Sequence, residues 1–175
     1  MRFDLDIKTS PIFPDIKIFQ PKPFCDFRGD IWTLWEKENI LPEGLEFTLC
    51  KIAKSKENVL RGMHGDFKTW KYMSCPYGEV EFVIADVRED SDTYLKWEKY
   101  ILNDKNHVGV LVPPGFVNGH LCVSNECLYH YMMSYKGGYI EPHEQVHLYW
   151  NDERLNIDWK INNPILAKRD KRSTS

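Results

Sequence analysis

The chain is short of almost everything that marks a common class of site. No apolar run approaches the roughly 18 residues that a membrane span requires, and the formal net charge of -3 gives no long-range pull toward nucleic acid or a membrane surface. Residues 1–10 are charged and lack the apolar core of a signal peptide, which points to the cytoplasm. The five cysteines are odd in number and scattered without a CxxC pair, so they fit small buried residues of a reducing compartment and not a disulfide framework. No GxGxxG follows a strand and no GxxxxGK[ST] occurs, which removes the basis for a dinucleotide or phosphate-loop site; no GxSxG elbow offers a serine nucleophile. His107, His120, His130, His143 and His147 show no metal-ligand spacing with His64, so neither a metal nor another cofactor is expected. Lys168, Arg169, Lys171 and Arg172 form the only basic cluster, which reads as a frayed tail.

What is present is a succession of short β-type runs between turn signals, with no long amphipathic helix, repeat or linker. Residues 16–19 are apolar ahead of a Pro-Lys-Pro turn. Residues 26–30 make a polar turn, 31–35 are rich in β-formers, and 36–42 suit one helical turn. Residues 47–53 alternate, with Thr48, Cys50 and Ile52 on one face and Phe47, Leu49 and Lys51 on the other. Residues 94–102 fit a strand or a short helix. Val108, Val110 and Val112 alternate into Pro113-Pro114-Gly115, and residues 127–135 place Cys127, Tyr129, Tyr131, Met133 and Tyr135 on one face. Val146, Leu148 and Trp150 lead into a polar turn. Many short strands predict one all-β domain, a sandwich, jelly roll or barrel, with residues 1–10 and 171–175 as extended or mobile ends. A jelly roll has an open mouth between its sheets where inward polar residues line a pocket.

Residues 58–88 carry the densest chemistry: His64 between glycines, Lys71 between Trp70 and Tyr72, then a turn at Pro76-Tyr77-Gly78 and an apolar strand closing on Asp86 and Arg88. These are the parts of a proton-transfer site on a β scaffold. The same stretch also fits an ordinary hairpin with a hydrogen-bonded core histidine.

Several motifs in one order narrow the choice: Asp26-Phe27-Arg28-Gly29, Asn58 through Leu60-Arg61-Gly62-Met63-His64, Tyr77-Gly78-Glu79-Val80, Pro114-Gly115-Phe116, Trp150-Asn151-Asp152 and Lys168-Arg169-Asp170. Together they resemble the nucleoside-diphosphate 4-keto-6-deoxy sugar 3,5-epimerases, cupin-type jelly rolls (double-stranded β-helices with short peripheral helices). The forms LRGxHGD, YLKWEK at 94–99 and WNDERxxIDW at 150–159 are most similar to the branch acting on GDP-4-keto-6-deoxy-heptoses of capsule biosynthesis. The resemblance implies His64 as the base that removes a proton beside the sugar ketone and Asp170 as the carboxylate that orients it. It implies Lys71 beside the carbonyl oxygen and Tyr131 as the opposite-face acid, with Tyr129 and Tyr135 on the same stripe as rivals. Arg28 and Arg61 match positions that hold the diphosphate, and Tyr139 one that packs beside the sugar. Arg28 can come from a neighbouring subunit, which implies a homodimer with strand exchange and a nucleotide-sugar partner.

Four departures from the family pattern bear on the substrate. Gly65 and Asp66 replace an aromatic and a glutamine after the base, and Leu49 and Lys51 replace a glutamine and an asparagine. The second family histidine is Asn118 here, with His120 two places later, and Met132 replaces a lysine. The small Gly65 suggests room for a longer sugar, and Lys51 added charge for a different nucleotide. A 3,4-ketoisomerase of the same fold and a non-catalytic sugar-nucleotide-binding jelly roll are the alternatives.

Overall fold

The computed structural model describes residues 5–36 and 41–171. It contains thirteen strands: β1 (Leu5–Thr9), β2 (Lys17–Pro21), β3 (Phe24–Asp26), β4 (Gly29–Ile31), β5 (Leu49–Lys56), β6 (Leu60–Asp66), β7 (Trp70–Tyr77), β8 (Glu79–Asp86), β9 (Trp97–Asn103), β10 (Gly109–Val112), β11 (Phe116–Cys122), β12 (Glu126–Ser134) and β13 (Val146–His147). Two antiparallel sheets, ordered β1-β2-β10-β7-β12-β5 and β13-β6-β11-β8-β9, face each other, and β3 and β4 pair as a separate hairpin. This is the expected jelly roll.

Alternation explains the layering. In β8 the residues Val80, Phe82 and Ile84 point between the sheets, where they meet Phe13, Met73, Val110, Phe116 and Tyr129. Val83 and Ala85 point the other way, onto Leu60, Met63, Val117, Leu155 and Trp159. Both faces of β8 are therefore covered, and each large side chain fully buried there contributes about 1.5–3 kcal/mol.

The outer layer over the five-stranded sheet comes from the C-terminal segment, and specific bonds tie it down. The Trp97 indole N–H donates to the Leu155 carbonyl (2.7 Å) and the Trp159 indole N–H to the Trp150 carbonyl (2.8 Å). Lys99 reaches both Glu81 and the Asp158 carbonyl. The motifs at 94–99 and 150–159 thus clasp each other outside the sheet.

Several expectations need correction. Among the described residues the only helix is a 3-10 turn at Lys168–Asp170, so the short peripheral helices are not seen there. The helical turn expected at 36–42 falls largely outside the described residues. Extended structure stops at Ile31 and does not run to residue 35. The N-terminal segment, expected to be extended or mobile, is extended over Leu5–Thr9, where β1 pairs with β2. Lys168–Asp170 do not fray as a tail would: they form the 3-10 turn, with Asp170 2% exposed and docked against β6, while Arg172 of the basic cluster lies outside the described residues. Cys75, Cys122 and Cys127 are buried free thiols, whereas Cys25 and Cys50 are exposed. No helix among the described residues is long and apolar enough to cross a membrane.

Candidate active site

The polar groups gather where the inner faces of the two sheets run out of apolar side chains. On β11, Asn118 and His120 continue the inward face begun by Phe116, and Asn118 lies directly opposite His64 of β6. On the facing sheet, Lys71 stands two residues before the inward Met73, Lys51 two before Ala53, and Tyr131 two after Tyr129. Tyr131 and Lys51 are direct cross-strand partners.

Regular alternation would send Arg61 and His64, three residues apart, to opposite faces. The register between β6 and β11 slips here, since His120 pairs with Arg61 but Asn118 with His64. Gly62 absorbs the slip at φ 129°, where an added Cβ would collide with Gly119. The extra residue brings Arg61 and His64 to the same inner rim.

His64 Nε2 lies 2.7 Å from Asp170 Oδ1. A bond of that length to a carboxylate places the ring proton on Nε2 and leaves the lone pair on Nδ1. Burial lowers the His64 pKa from its ordinary value, opposed by the bond and charge of Asp170 and reinforced by Arg169 and Lys71. Burial would raise the Asp170 carboxyl, but His64, Arg169 and His147 outweigh it and hold it below the usual range. The imidazole is thus kept neutral near pH 7 beside a partner ready to stabilise its charged form.

Lys71 is buried. Its Nζ lies 3.5 Å from Asn118 Oδ1 and 3.9 Å from Asp66 Oδ2, and burial lowers its pKa. Asp66 accepts the backbone N–H groups of Lys68 and Thr69 at 2.8 and 2.7 Å, which fixes the turn into β7. Tyr131 is half-buried. Burial raises its phenol against the opposing charges of Lys51 and Arg61, so it stays protonated. Lys51 donates to the Tyr139 hydroxyl at 3.2 Å and sits 4.6 Å from that ring's centre. Tyr129 is buried and stacks on His120 at 3.7 Å; among the described residues neither the Tyr129 hydroxyl nor His120 Nε2 has a hydrogen-bond partner. Burial drives the His120 pKa down to about 3. Sealed in the interior, Tyr129 is the poorer rival to Tyr131, and Tyr135 packs edge-on against Tyr139.

Arg61 donates to Ser55 Oγ at 3.1 Å and keeps an exposed side at the rim. Arg28 does not join this group. It sits on the β3–β4 hairpin, paired with Asp26 at 2.6 Å and largely exposed, next to Phe27 at 97% exposure. The reading of Gly65 as space for a longer sugar is overturned: a Cβ there would overlap the Phe116 carbonyl, so backbone and not pocket occupies that side. Trp97, Lys99 and the 150–159 segment lie on the outer face of the sheet and speak to folding and not to the sugar, while Glu98 points inward, where it accepts from the Ser10 and Tyr100 hydroxyls.

Sequence reading missed His147. It faces His64 across the β13–β6 pair, and its Nε2 is 3.8 Å from Asp170 Oδ1. Residues 143–147 in fact spell HEQVH, the H-E-x-x-H form, which is the signal that was overlooked. That motif's chemistry needs a helix to aim both histidines one way, but here His143 is exposed in a turn and only His147 points inward. Long-range assembly does bring His64, His147 and Asp170 together, with their ligand atoms within 4.8 Å of one another.

Comparison with known proteins gives the family. Residues 11–175 match the family model described as dTDP-4-dehydrorhamnose 3,5-epimerase. The chain is 31% identical to the dTDP-4-dehydrorhamnose 3,5-epimerase of Shigella flexneri over 94% of this chain and 91% of that one. It is 32% identical to that of Escherichia coli K12 over 90% and 88%. Among solved structures it is similar to the dTDP-6-deoxy-D-glucose-3,5-epimerase of Legionella pneumophila in complex with dTDP-4-keto-L-rhamnose, with a TM-score of 0.87, 26% identity and coverage of 95% and 90%. A jelly roll with a histidine-carboxylate pair at its open end, matched along nearly its whole length, leads to one assignment: this chain belongs to the dTDP-4-dehydrorhamnose 3,5-epimerase family and is an isomerase of the epimerase class.

Proposed function

We propose that the chain inverts carbon 3, carbon 5 or both of a nucleoside-diphosphate-linked 4-keto-6-deoxy sugar, with no cofactor. The observation that carries this reading is the 2.7 Å bond between His64 on one sheet and Asp170 of the 3-10 turn, with the protonated Tyr131 on the sheet facing His64. The ketone at carbon 4 acidifies its neighbouring C–H bonds. His64 Nδ1 takes such a proton, the C–H electrons move to the carbonyl oxygen, and Asp170 stabilises the imidazolium. Lys71, a cation held in a buried setting, steadies the enolate oxygen. Tyr131 returns a proton from the opposite face and recovers one from solvent, and the enolate collapses to the inverted ketone. Arg61 takes the diphosphate, while Lys51, Asn118 and Tyr139 line the sugar and nucleotide space above a floor formed by His120.

The exposed Phe24, Phe27 and Ile31 of the β3–β4 hairpin suit burial against a second copy, which would carry Arg28 to the neighbouring site. This homodimer rests on the family resemblance. For the sugar we assign GDP-4-keto-6-deoxy-heptose, on the resemblance of the LRGxHGD form and on Lys51, which faces the inner rim. The second reading, a dTDP-linked hexose, is favoured by the names of the relatives. Those relatives include a 3,5-epimerase and a 3-epimerase, so the carbons inverted are decided by the product.

The test is NMR of product formed in deuterated buffer from each of the two substrates. Deuterium entering at inverted carbons supports the reading, and the substrate turned over faster identifies the nucleotide. Binding without exchange on either substrate overturns it.

A further inference from the structure

Outside the proton-transfer chemistry, the least explained group at this end of the molecule is His147. Its Nε2 is buried and has no hydrogen-bond partner among the described residues, although a carboxylate oxygen lies 3.8 Å away. Three separate elements converge on that point: β6 brings His64, β13 brings His147, and the 3-10 turn brings Asp170. Two imidazole nitrogens and one carboxylate oxygen form the ligand set that divalent transition metals such as zinc prefer when a position stays open for water. Tetrahedral zinc with bonds of about 2.0–2.1 Å separates its ligand atoms by about 3.3 Å. Here the carboxylate oxygen lies 2.7 Å from one nitrogen and 3.8 Å from the other, and all three ligand atoms lie within 4.8 Å of one another, so closing the set requires the imidazoles to turn toward each other.

We propose that His64, His147 and Asp170 form an inhibitory binding site for a divalent transition metal, with zinc as the reference ion. An orphaned imidazole nitrogen in an N,N,O cluster is what such an ion satisfies and what the epimerase chemistry does not use. Binding displaces the proton shared by His64 and Asp170. With a metal on Nε2, the remaining ring proton moves to Nδ1, and His64 no longer has a lone pair to offer a substrate. Arg169 opposes the ion, because its Nε lies 3.1 Å from His64 Nε2 and 3.6 Å from Asp170 Oδ1. Its side chain is 41% exposed and its one further hydrogen bond among the described residues is to Gln145 at 3.4 Å, so few contacts oppose its turning into solvent. His147 also lines a surface cleft with Tyr149 and Arg154. The inhibition rests on His64 being the base; the binding does not.

The full chain, stripped with EDTA and dialysed free of it, is titrated with zinc chloride by calorimetry in a non-chelating buffer. One saturable zinc per chain is expected, and His147→Gln weakens it at least about tenfold. In the wild-type protein, zinc also shifts the imidazole NMR signals of both His64 and His147, a measurement that needs no variant to fold. Zinc suppresses solvent-deuterium exchange into substrate, EDTA restores it, and the exchange that His147→Gln retains resists the zinc concentration that suppresses the wild type. Absence of a saturable site, or equal zinc affinity in His147→Gln, overturns the site. Saturable binding that leaves exchange untouched overturns the inhibition alone.

Discussion

Two buried carboxylates, Asp86 and Asp170, are 0% and 2% exposed, yet they live in opposite surroundings. Asp86 accepts five hydrogen bonds of 2.6–2.9 Å, from the backbone N–H, Nε and Nη2 of Arg88 and the hydroxyls of Ser91 and Thr93. Burial works to raise its pKa, but these donors pull it down to about 2. Asp170 has one close partner, His64, with His147 and Arg169 at 3.8 and 3.6 Å. A carboxylate with all its lone pairs used is a fixture of the fold. One left with spare capacity beside an imidazole can answer a change of charge, which is what a proton-transfer site requires.

The largest expected effect tests the responsive corner. His64→Asn should lower kcat/KM for deuterium exchange by about 10²–10⁴-fold with the circular dichroism spectrum unchanged, since the general base is removed and its volume kept. Asp170→Asn should lower it by about 10²-fold or more and also move the pH profile. In wild type, measured with EDTA present, the acid limb of kcat/KM should have its midpoint below the ordinary histidine value of 6.5, because the active base is the neutral form and burial lowers its pKa. Asp170 raises that pKa, so its loss should move the limb to still lower pH; a limb that moves upward would break the comparison. Tyr131→Phe sharpens it from the other sheet: exchange should persist while inversion falls by about 10²-fold, seen as deuterium incorporated with retained configuration.

The smallest effect on catalysis belongs to the saturated corner. Asp86→Asn should leave exchange by folded protein near wild type but cost about 2 kcal/mol in urea unfolding at pH 7. Its folded pKa lies below the unfolded one, so this stabilisation is present above about pH 4 and is lost as pH falls toward 2. A variant equally stable at pH 7 would show that the five bonds are not what holds this corner.

The same contrast separates what was legible from what was not. The partners of the Asp86 carboxylate among the described residues all lie within seven residues, so the closing Asp86-x-Arg88 could be noticed on the page. The partner of Asp170 is 106 residues away, and without the family likeness its basic neighbours suggested only a solvated tail. His147 went unread because its strand is two residues long, too short to show a period, and the helix its motif belongs to never forms. Gly65 was read as vacant space because a missing side chain says nothing of what fills its place; the β11 backbone does. Arg28 and Arg61 look alike in sequence, but one rides an exposed hairpin and the other a bulged strand at the rim.

The sequence by itself determined the strands, their inward stripes and the types of group on offer, because alternation and turn chemistry act over a few residues. Which of those groups meet was decided only by the tertiary structure. Two sheets had to close over Phe82 and Phe116, and the clasp of Trp97, Lys99 and Trp159 had to lay the C-terminal segment across the outer face, before Asp170 could arrive beside His64. Contacts of that range depend on how whole layers pack, and no local pattern encodes them.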